Sequence, residues 1–205
     1  MISIIIPVKD QIEYTRMILA DIPKKIKSEY EIIVIDDGES DTNYEFLQSQ
    51  PIRHYSKPVW VNEKWNFGVD QAKGDYVFII NNDIVLTEWI DIELIESLQE
   101  HKIACPVTTV GKDKWKLPLL QKTTDIAGWA FMLKREDWVH IDDRINTWFG
   151  DTYLFNKLWK DVWYAWLCHH FESKTLKSPE LKVQIEKRIR KDKLHWEDIK
   201  QENNW

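Results

Sequence analysis

A chain of 205 residues with 43% hydrophobic content is long enough for one core of ordinary size and calls for no second domain. A formal net charge of −6 argues against a surface that grips nucleic acid throughout, and two cysteines outside any CxxC pair argue against a zinc site or disulfide framework. The apolar runs have strand length, well short of the ~20 residues of a membrane span. The first strand begins too early to leave room for a signal sequence, so a cytoplasmic location is expected.

Residues 2–6 form a β-branched run that Pro7 ends, which predicts a buried first strand. A helix follows over 11–22, with Ile12, Ile18, Leu19 and Ile22 on one side and Pro23 as its stop. Residues 32–35 are again continuous and β-branched, and they run into Asp36, Asp37 and Gly38. Asp41 is placed to cap a helix to about residue 48, 52–55 make a short strand, and 62–72 have helical spacing closed by Gly74 and Asp75. The next strand, 76–80, ends at Asn81, Asn82 and Asp83. Strand and helix in alternation imply a mostly parallel sheet with right-handed crossovers. Ligands of such sheets gather beyond the carboxyl ends of the strands, where both acidic turns fall.

The second half is less regular. A strand is predicted at 103–107, a long loop at 110–124, a strand at 127–133, a helix at 151–160 and an aromatic strand at 162–168. Beyond Pro179 a charged helix is expected to about residue 193. Its basic residues, Lys182, Lys187, Arg188, Arg190, Lys191 and Lys193, read as a solvated face, with an anionic membrane surface or a polynucleotide as the sharper alternative.

Five segments stand in order: ISIIIPVKD at 2–10, EIIVIDDGESD at 31–41, NFGVDQAKGDYVFIINND at 66–83, GWAFMLKRED at 128–137 and FGDTYLF at 149–155. Each alone is commonplace; the ordered set, over roughly residues 1–176, resembles glycosyltransferase family 2, the inverting GT-A enzymes, in a compact viral, phage-like or bacterial form. The resemblance implies an α/β GT-A fold with a Rossmann-like mixed, mostly parallel central sheet flanked by helices, with a C-terminal helix. It further implies one domain over 1–205: a nucleotide-sugar half at 1–107, an acceptor and catalytic half at 108–176, and a basic helical extension at 177–205.

By the same resemblance, Pro7, Lys9, Asp36 and Asp37 match positions that hold the base and ribose of the donor, a nucleoside-diphosphate sugar expected to be a UDP-sugar. A carboxylate suits that task because it accepts strong hydrogen bonds. Asn82 and Asp83 match the DxD position, where a carboxylate binds Mn²⁺ or Mg²⁺ bridging the diphosphate. This chain has Asn81 and Asn82 in place of further acid, so Asp83 is the one firm ligand; the adjacent His169 and His170 offer a second, with His170 better spaced to Ser173 and Thr175. Asp151 matches the general base, although in isolation it reads as a helix N-cap. Gly128 and Trp129 match the acceptor side, where a glycine lets backbone approach and a ring lines a sugar pocket.

The acceptor implied is a glycan or glycolipid, with peripheral membrane contact as one setting and host cytoplasm as the compartment of a viral member. Twelve tryptophans and the basic helix also suit a modified base in DNA as acceptor. A sugar-binding or nucleotide-binding module without catalysis is opposed by Asp83 and Asp151. A nucleotidyltransferase is opposed by the lack of glycine in the turn after Ile6.

Overall fold

The computed structural model describes residues 1–9, 11–36, 41–108, 128–159, 161–170 and 179–205. The first half alternates strand and helix: β1 (Ile2–Pro7), α1 (Ile12–Lys25), β2 (Tyr30–Asp36), α2 (Asp41–Gln48), β3 (Arg53–Ser56), α3 (Val61–Gln71) and β4 (Tyr76–Ile80). All pairings among these strands are parallel, with Ile2 opposite both Tyr30 and Tyr76 and Ile33 opposite Arg53. β1 lies between β2 and β4, and every one of its residues is buried. Its β-branched composition suits a strand covered on both faces, where each fully buried isoleucine contributes about 1.5–3 kcal/mol. Ser3, the polar exception, donates to Glu31 Oε1 at 2.7 Å and accepts from the Gly74 amide at 2.9 Å.

The second half comprises β5 (Ile84–Val85), α4 (Ile90–Ser97), β6 (Ile103–Thr108), β7 (Ala130–Lys134), α5 (Gly150–Lys157), β8 (Val162–His170) and α6 (Pro179–Asn203). β7 enters the sheet antiparallel to β4 on one side and to β6 on the other, with Ile80 opposite Ala130 and Ile103 opposite Leu133. β6 and β8 are parallel, and β5 closes the order β3-β2-β1-β4-β7-β6-β8-β5 by pairing antiparallel with β8. The sheet is therefore mixed as well as parallel. Its alternating side chains feed two cores: Ile5, Ile79, Phe131 and Leu133 face Trp65, Leu154 and Trp196, while Ile4, Ile6, Phe78 and Met132 face Ile18, Ile22 and Leu94.

Four elements differ from the sequence expectation. α1 continues through Pro23 to Lys25, because a proline in the last turn forfeits one backbone bond while Ile22 and Ile26 stay buried and the Ile26 amide bonds to Ile22 O at 2.9 Å. β5 and α4 fall where no element was expected. α6 extends ten residues beyond 193, to Asn203, because its inward face is Ile185, Asp192, Trp196 and Ile199. A carboxylate in the middle of that stripe disguises its periodicity. The long loop expected at 110–124 lies outside the described residues.

Candidate active site

Three chain reversals converge on one end of the sheet. β1 stops at Pro7, β4 stops at Ile80, and β7, running the other way, starts just after Gly128 and Trp129. The Asn81 amide donates to Trp129 O at 2.8 Å, which joins the end of one strand to the beginning of the other. Above this seam lies a cavity of about 590 Å³ whose lining includes Pro7, Lys9, Asn82, Asp83, Gly128, Trp129 and Asp151. Aromatic walls come from Trp60, Trp65, Trp148 and Phe149, and α6 adds Gln184 and Ile185.

Asp83 is 6% exposed and Asn82 9%. The Asn82 amide donates to Thr15 Oγ1 of α1 at 3.0 Å, which fixes the turn that presents Asp83. Asp151 is the second residue of α5, whose N-cap is Phe149 rather than an acidic side chain. Its Oδ1 accepts from the Thr152 amide at 2.7 Å, and the helix N-terminus favours negative charge there. Gly128 packs so closely that a Cβ on it would sit 2.6 Å from Asp151 Oδ2. Glycine at 128 is thus a condition for the carboxylate's place.

The remaining expected residues divide. Asp36 does not line the cavity; its carboxylate meets His54 Nε2, and both side chains are buried. Asp37, Ser173 and Thr175 lie outside the described residues. His170 is described in its backbone, which stands opposite Ile84, the residue after Asp83. Among the described residues no group of three or more His, Cys, Asp or Glu side chains forms a metal cluster. One carboxylate with neighbouring amide oxygens nevertheless fits Mg²⁺ or Mn²⁺, which take one or two protein carboxylates and complete their shell with phosphate and water. Both cysteines are buried, and burial pushes the Cys168 thiol up to about 12, so Cys168 offers no thiolate for chemistry.

The family model for glycosyl transferase family 2 matches residues 3–159. The chain belongs to that family. The ordered motifs implied that membership. Among family relatives, the glycosyltransferase GlyG of Streptococcus pneumoniae serotype 4 (strain ATCC BAA-334 / TIGR4) is 27% identical over 107 residues, which cover 49% of this chain and 36% of GlyG. The fold is similar to S. aureus TarS 1–349 in complex with UDP-GlcNAc, with a TM-score of 0.66 at 11% identity over 86% of this chain and 60% of that one. TarS 1–349 in complex with UDP gives 0.61 at 12% identity over 80% of this chain and 57% of TarS. The family member described here thus spans about a third of GlyG and three-fifths of the TarS fragment. No helix among its described residues is long and apolar enough to cross a membrane.

Several residues of this family 2 site were not read from the sequence. Lys64, 3% exposed, reaches from α3 to the cavity floor and donates to Val8 O at 2.7 Å. Asn62, 1% exposed, donates to Ile145 O at 3.1 Å and to Trp148 O at 3.3 Å, so α3 holds the loop that leads into Asp151. Asn66, one turn later, exchanges hydrogen bonds with the backbone of Ile141 at 2.9 Å in both directions. The signal was present: Asn62 and Asn66 share a helix face with Trp65 and Val69, and amides buried at that spacing must find partners.

Proposed function

We propose that this chain transfers a sugar from a UDP-sugar to an acceptor hydroxyl with inversion at the anomeric carbon. The observation that carries the reading is that Asp83 and Asp151, from opposite halves of the chain, line one cavity with Gly128 against the second carboxylate. The TarS fragment with a similar fold was solved with UDP-GlcNAc and with UDP, which supports a uridine donor.

In this reading Pro7, Lys9 and Asp37 serve the base and ribose, while Asp36 ties the end of β2 to β3 through His54. Asp83, with His170 as second protein ligand, would hold a divalent ion, which would neutralise charge on the departing diphosphate. Lys64, buried in the cavity wall, adds a hydrogen-bond donor for the same phosphates. Asp151 accepts the proton of the acceptor hydroxyl as its oxygen forms the new bond to the anomeric carbon. The bond to the diphosphate oxygen breaks on the opposite face, and the stereochemistry inverts. The aromatic walls suit the apolar face of an acceptor sugar, so a glycan or glycolipid is the acceptor assigned, reached from the cytoplasm.

The test is release of UDP from a panel of UDP-sugars with Mn²⁺, with acceptor arms of glycan, glycolipid and hydroxymethylated DNA. Asp151→Asn is expected to lower kcat by about 10²–10⁴-fold and to leave donor binding in place. Binding without turnover in the unsubstituted protein makes it a sugar-nucleotide module. Mass gain on DNA moves the acceptor to a base.

A further inference from the structure

We propose that Asp192 of α6 is a positioning residue for the general base: it holds the loop that delivers Asp151, and thereby makes α6 part of the catalytic unit. This inference rests on the role given to Asp151 above, and α6 lies beyond the residues 3–159 of the family match.

The loop before α5 is conformationally costly. Phe149, its last residue, has φ of 64°, the left-handed region that a bulky side chain rarely adopts. Such a conformation persists only where the surroundings impose it, and here they do so from two sides. Asn62 of α3 donates to the carbonyls of Ile145 and Trp148. From the other side, Asp192 Oδ2 accepts from the amides of Thr147 at 2.7 Å and Trp148 at 2.9 Å. The Phe149 ring then stacks on Trp196 of α6, with centroids 5.3 Å apart and planes 3° from parallel.

Asp192 is 0% exposed, and its Oδ1 has no hydrogen-bond partner among the described residues. A carboxylate buried on these terms is a poor way to fasten a helix, because desolvation opposes it and an apolar residue fits the stripe better. It is a good way to fix two adjacent amides, since an ionised acceptor forms stronger, shorter bonds than a neutral one. Two residues beyond the second of these amides the chain enters α5, and the next residue is Asp151. A displacement near 1 Å there is enough to cost about 10²-fold in rate.

The full chain carrying Asp192→Ala or Asp192→Asn is compared with the unsubstituted protein. Asp192→Ala is expected to lower kcat about 10²-fold with KM for the donor and UDP affinity within about 3-fold. Asp192→Asn keeps an acceptor oxygen and is expected to recover kcat to within about 10-fold of the original. In hydrogen exchange the amides of Thr147 and Trp148 are expected to lose protection at least about 10-fold in the alanine variant while the β1 and β4 amides keep theirs. Unchanged kcat, unchanged exchange at those two amides, or donor affinity falling in step with kcat overturns the proposal. If the alanine variant does not fold, Asp192→Ser, whose hydroxyl is too short to reach both amides, is read in the same way. Exchange is measured on the protein itself, so it decides the clamp even where the unsubstituted chain turns over no donor, and in that case it is the functional reading that falls.

Discussion

At Gly128 the absence of a side chain is a positive requirement. Alanine would bring its Cβ to 2.6 Å from Asp151 Oδ2, well inside contact distance, and the carboxylate is the group that must move. Gly128→Ala is therefore expected to lower kcat about 10²-fold while the midpoint of thermal unfolding stays near that of the parent; steady-state kinetics beside a melting curve checks both. Asp83, Gly128 and Asp151 were legible because each closes or opens an element, where a motif marks it. Lys64, Asn62 and Asp192 were not, because each acts on backbone 44 or more residues away, and no local pattern records a partner at that distance.

Elements were legible in proportion to how locally they are determined. The strands β1, β2 and β4 carry β-branched runs bounded by turn residues, so their existence and parallel order follow from the sequence itself. β7, AFMLK, is apolar without a β-branched residue, and its antiparallel direction is set by pairing with β4 and β6. Gly74, between α3 and β4, shows how closely the parallel half is drawn together. A Cβ there would lie 2.7 Å from Ser3 N and 2.8 Å from Met1 O, both backbone atoms that β1 cannot shift alone. Gly74→Ala is expected to destabilise the fold by about 1–3 kcal/mol, read as a lower urea midpoint with unchanged slope.

Across the whole molecule, acidic side chains tie distant segments together. Burial raises the Glu31 carboxyl, but hydrogen bonds from Ser3, Lys73 and Arg53 outweigh it and hold the group below its ordinary value. Arg144 lowers Asp142 beside it and Glu202 near the end of α6. A carboxyl with a lower pKa in the folded chain binds fewer protons there than in the unfolded chain. Its stabilisation is complete above the unfolded value of about 4.3 and is lost as pH falls through the folded one. Denaturant midpoints are expected to hold level from pH 7 to about 5 and to drop steadily below about 4.5; a constant midpoint down to pH 3 would show these ties to be slack. The tie between Thr147 and Asp192 also sets an order in time. The two residues are 45 positions apart, so at ~5–20 residues per second the ribosome releases the loop roughly 2–9 s before the aspartate that fixes it. On the proposed reading, a nascent chain thus carries Asp83 and Asp151 before it carries the helix that completes the cavity and clamps the loop, and its competence arrives with α6.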